Sequence, residues 1–147
     1  MVSLQVATGD RIIDRMIALA GCSTQHCIVV AGSKSMELML ELHRCGYLRA
    51  AATGNCGRPA GQYDVALVDW RRRTRNALET TLDWLVNFLG PSGVLVVWVD
   101  TQKPVANQSL RASLEKRGFV IEQGAVYDSG CAVSARRLQT HPMQKAA

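Results

Sequence analysis

The chain has 147 residues, 48% of them hydrophobic and 20% charged, with a formal net charge of +5 at pH 7. That mixture suits one globular domain burying about 70% of its unfolded surface, and it excludes a disordered or collagen-like chain. The charge admits an anionic partner without requiring one, because much of it sits in the single cluster "WRRRTR".

"GDRIIDRMIALAG" (9–21) sets Ile12, Ile13, Met16, Ile17, Leu19 and Ala20 on one helical face, with Thr8 or Asp10 as cap and Gly21 as stop. The stretch before it, "MVSLQVATGDRIIDR", lacks the basic-then-apolar layout of a secretory signal. "CIVVA" (27–31) is a continuously apolar, β-branched run, as in a buried parallel strand. "SMELMLELHRCG" (35–46) follows as a helix, with Ser33 or Ser35 as cap, Leu38, Leu42 and their neighbours as core, and Gly46 as stop.

A short strand is expected in "YLRAAAT" (47–53), a loop in "GNCGRPAG" (54–61) and a buried strand in "YDVALVDW" (63–70). "TRNALETTLDWLVNFLG" (74–90) is an amphipathic helix with Leu78, Leu82, Leu85 and Leu89 on its stripe. "PSG" (91–93) reads as a turn and "VLVVWVD" (94–100) as the most apolar strand. After the loop "TQKPVAN", residues 108–117 read as the last helix. "GFVIEQGAVYD" and "CAVSARRL" around "SG" form a closing hairpin.

Helices alternating with strands predict an α/β fold, a doubly wound and mostly parallel Rossmann-like sheet of about six strands with helices on both faces and an antiparallel C-terminal hairpin. One domain is expected over 1–138, with a polar tail at 139–147. In such sheets ligands bind beyond the carboxyl ends of the strands, here residues 32–36, 53–61, 69–75 and 100–107.

Across most of residues 10–137 the pattern resembles the class I S-adenosylmethionine-dependent methyltransferases. "CIVVAG" with "SMELMLELHRCGY" is similar to the family's strand, glycine loop and helix, and "YDVALVDW" to its central strand. "LVNFLGPSGVLVVWV" resembles its helix, proline-glycine turn and strand, and "LRASLEKRGFVIEQ…CAVSARR" its closing helix and hairpin. The four segments also come in the family's order.

The resemblance implies a cofactor loop close to G-x-G-x-G, and that register reads Gly32, Ser33, Lys34, Ser35, Met36. The family needs glycines there because its backbone approaches the cofactor closely. Lys34 puts a positive charge where the sulfonium already carries one, and Met36 adds bulk at the helix start. After the second strand the family has an acidic residue for the ribose hydroxyls, whereas "AAATGN" supplies Thr53 and Asn55. The family's third strand is expected to be missing, since only about ten residues separate "AAAT" from "YDVALVD" and a crossover needs a dozen or more.

The candidate cofactor contacts are therefore Gly32, Ser33, Lys34, Ser35 and Thr53. Against a phosphate loop, Ile28 and Ser33 stand where G-x-x-x-x-G-K-[ST] needs glycines, and Lys34 also reads as a solvated residue on a tight turn. Asp69 is the one catalytic candidate, as a base or an amine-holding group. Trp70, Arg71, Arg72 and Arg73 form a substrate or anion candidate that could stack on a base and grip phosphate. They read equally as a tryptophan capping the core and a solvated loop.

Cys22, His26 and Cys27 lack a fourth ligand, so no metal is expected. No apolar run reaches the roughly 20 residues of a membrane span. The five cysteines, Cys22, Cys27, Cys45, Cys56 and Cys131, contain no CxxC pair, so a reduced cytoplasmic protein is expected.

Two functions compete. One is a methyltransferase-like protein with a degenerate cofactor loop, binding no cofactor and serving as an interaction or assembly module. Its partner would be a second copy or another protein, met through the strand 47–53 edge or the N-terminal helix. The other is an active methyltransferase using S-adenosylmethionine in an atypical pocket on a small molecule or RNA. A nucleic-acid or anion binder using Lys34 and the arginines ranks behind both.

Overall fold

The computed structural model describes residues 12–32, 34–52, 63–70, 75–99, 104–127 and 130–137. In chain order these form α1 (Ile12–Ala20), β1 (Ile28–Gly32), α2 (Ser35–Arg44), β2 (Ala50–Ala52) and β3 (Tyr63–Asp69). They continue with α3 (Arg75–Phe88), β4 (Leu89–Val99), α4 (Pro104–Lys116), β5 (Phe119–Tyr127) and β6 (Gly130–Arg137). The expected helix cap at Thr8 or Asp10 and the loop 54–61 lie outside the described residues.

The strands make one six-stranded sheet in the order β2-β1-β3-β4-β6-β5. β2, β1, β3 and β4 run parallel, β6 is antiparallel to β4, and β5 pairs with β6 as a hairpin. The chain moves outward from β1 to β2 and returns on the other side of β1 to β3, so the switch point lies between β1 and β3. β2 is the edge strand among the described residues.

Alternation along the buried strands feeds two cores, one on each face. Val29, Ala31, Ala66, Val68, Leu95 and Val97 meet Leu78, Leu82 and Leu85 of α3 and Leu110 and Leu114 of α4. Their neighbours Ile28, Val30, Val65, Leu67, Val96 and Trp98 meet Ile13 and Met16 of α1 and Leu38 and Leu42 of α2. The four-residue rhythm of the helices and the two-residue rhythm of the strands thus produce a doubly wound sheet.

Four sequence expectations change. "PSG" is not a turn between elements, because β4 begins at Leu89 and runs through it. Leu89 pairs with Tyr63 and Val94 with Val65, so residues between them bulge while the strand continues. Gly93 fits there because a β-carbon on it would come within 2.9 Å of Leu89 Cδ2. The last helix starts four residues early, at Pro104, whose missing N–H and fixed φ suit a first helical position.

The cap of α2 is Lys34, which makes no side-chain cap hydrogen bond; Ser35 is already helical, and Ser33 lies outside the described residues. Not every apolar neighbour of Leu38 and Leu42 joins the core, since Met36 and Leu40 stand 48% and 47% exposed. They sit on the outer side of the helix, half a turn from the buried pair.

The expected stops hold. Gly21 and Gly46 close α1 and α2 with φ of +67° and +95°. The Tyr47 N–H donates back to the Leu42 carbonyl at 2.9 Å.

Candidate functional site at the switch point

β1 ends on Gly32 and β3 on Asp69, and the two residues are in register. Gly32 has φ of +106°, and a β-carbon on it would overlap the Asp69 carbonyl oxygen and lie 2.9 Å from the Asp69 nitrogen. Glycine is thus demanded here by the neighbouring strand itself.

Asp69 has no exposed surface and also pairs in register with Trp98 of β4. One residue on, the Trp70 N–H donates to the Trp98 carbonyl at 2.8 Å, extending the ladder past the end of β3. The Trp70 ring is half-buried and packs on the core beneath α3. Gly32, Asp69 and Trp70 are therefore brought together, beside the buried Trp98.

Lys34 and Ser35 follow Gly32 at the start of α2. Lys34 has φ of −129° and ψ of 45°, so its φ is negative and makes no call for a glycine. Its Nζ lies 3.7 Å from the Glu37 carboxylate, with the two side chains 59% and 71% exposed. Met36 is 48% exposed. Ser33, Thr53, Arg71, Arg72 and Arg73 lie outside the described residues, as do Asn55, Asp100 and Thr101.

The cysteine and histidine candidates serve local structure. His26 Nδ1 accepts from the Ser23 N–H at 3.0 Å, and the Cys27 N–H donates to Asp64 at 2.9 Å. Among the described residues no group of three His, Cys, Asp or Glu side chains could hold a metal. Burial pushes the Cys22 thiol up to about 11, opposed by a backbone hydrogen bond. Tyr47 is also raised, first by burial and then by Cys22, Cys45 and Asp14 nearby.

The sequence reasoning did not single out His43, whose Nε2–H donates to the Ala50 carbonyl at 2.9 Å. Arg49 offers its carbonyl to Ile28 on β1. Alternation therefore turns the Ala50 carbonyl toward the open side of β2, where His43 covers it. The only signal in the sequence was a histidine in the last turn of a helix that leads into an edge strand.

The sequence matches no protein-family model and no curated protein. Its fold is similar to a SAM-dependent methyltransferase from Aquifex aeolicus, with a TM-score of 0.66 at 10% identity, over 86% of this chain and 90% of that one. The fold is that of the class I S-adenosylmethionine-dependent methyltransferases. A Burkholderia thailandensis 1,6-didemethyltoxoflavin-N1-methyltransferase, solved with bound 1,6-didemethyltoxoflavin and S-adenosylhomocysteine, aligns with a TM-score of 0.61 at 14% identity, over 92% of this chain and 82% of that one. A putative methyltransferase of Haloferax volcanii in complex with the Trm112 activator aligns with a TM-score of 0.64 at 7% identity, over 87% of this chain and 89% of that one. No helix among the described residues is long and apolar enough to cross a membrane.

Proposed function

We propose that this methyltransferase-like chain does not bind S-adenosylmethionine and works in the cytoplasm as an interaction or assembly module. The contact between Gly32 and Asp69 carries the reading. The one glycine kept from the loop pattern is used to pass the neighbouring backbone, so its presence is explained without a cofactor. Lys34 needs no glycine geometry and brings a cation toward a cationic cofactor. Asp69, the catalytic candidate, is sealed from solvent. β2 ends at Ala52, and residues 53–62 contain no carboxylate for a ribose.

One observation favours the alternative, an active methyltransferase with an atypical pocket acting on a small molecule or RNA. Lys34 and Met36 are exposed instead of buried at the start of α2.

Thermal unfolding with and without S-adenosylhomocysteine separates the two. A ligand held at micromolar affinity, supplied at about a thousand times its dissociation constant, stabilises a protein by about 4 kcal/mol. The module reading requires an unchanged melting temperature; a rise of several degrees supports the enzyme. In the module reading the partner is a protein, either a second copy or another chain.

A further inference from the structure

We draw no further inference here: the strongest candidate, the β2 edge of the sheet, where the His43 ring covers the outward carbonyl of Ala50, carries nothing, because nothing in the structure shows what chain or ligand would meet it.

Discussion

Gly32 lies so close to the backbone of Asp69 that a β-carbon has no place between them. The last residue of β1 and the last residue of β3 close the sheet at the point where its strand order reverses. In this chain a glycine that resembles part of a cofactor loop is required by the sheet.

Gly32→Ala is therefore a folding mutation. It combines a positive φ with direct overlap on a buried strand and should cost about 3 kcal/mol or more. Chemical denaturation of the variant, compared with wild type, measures this. A loss under about 1 kcal/mol would mean that the strand end moves aside, and the glycine would then need another explanation.

Arg117 follows α4 and joins it to α3. It donates to Glu79 at 2.6 Å, to Asp83 at 2.9 Å and to the Ser113 carbonyl at 2.9 Å, while the Ser113 hydroxyl donates to Glu79 at 2.7 Å. Its side chain is only 10% exposed. Burial alone would pull the guanidinium down, but the hydrogen bonds and charges of Asp83 and Glu79 outweigh it and hold the proton more firmly. Arg117→Ala should cost about 2–3 kcal/mol by removing its hydrogen bonds to Glu79, Asp83 and the Ser113 carbonyl. Asp83→Ala, at an exposed partner, should cost less than about 0.5 kcal/mol. Equal costs in denaturant titrations would refute this division of the pair.

Arg137 closes the other end of the same face. Its Nη1 donates to the carbonyls of Val86 and Leu89 at 2.7 and 2.6 Å, placing a cation at the carboxyl end of α3. Arg137→Ala should lower stability by about 1–2 kcal/mol. Arg137→Lys should recover part of it, since a lysine keeps the charge and loses the fork. Full recovery with lysine would assign the effect to charge alone.

The order of elements was legible in the sequence because period-two and period-four patterns each pick one face. The β-branched runs of β1, β3 and β4 and Leu78, Leu82 and Leu85 of α3 appear where those patterns place them, whereas Leu89, expected on the same helical stripe, begins β4. Contacts between residues distant in sequence were not legible. Nothing near Gly32 announces that Asp69 passes behind it, and nothing near Arg137 announces the end of α3. "PSG" misled because proline and glycine mark a chain bend, and a bulged strand bends as a turn does. Met36 and Leu40 misled because hydrophobicity alone does not say which face of a helix meets the sheet. Of the candidate site, Gly32, Lys34, Ser35, Asp69 and Trp70 fall where the doubly wound order puts them.

Alkaline pH should weaken the fold through Cys22. Its thiol rises from the ordinary 9.0 to about 11 in the folded chain, because burial disfavours the thiolate. The proton is therefore held more tightly folded than unfolded. That contribution is complete below pH 9 and is lost as pH climbs through 11. Tyr47, raised from 10.0, adds a loss of the same sign. Denaturation midpoints between pH 8 and 11 should fall, and Cys22→Ala with Tyr47→Phe should flatten the fall. An unchanged slope in the double variant would place the titrating group elsewhere.

The central claim is that this methyltransferase fold has no working cofactor site. Calorimetric titration of the full chain with S-adenosylmethionine and S-adenosylhomocysteine tests it most directly. The account predicts no heat of binding up to millimolar ligand. Saturable binding in the micromolar range would contradict it, and the search would turn to a methyl acceptor.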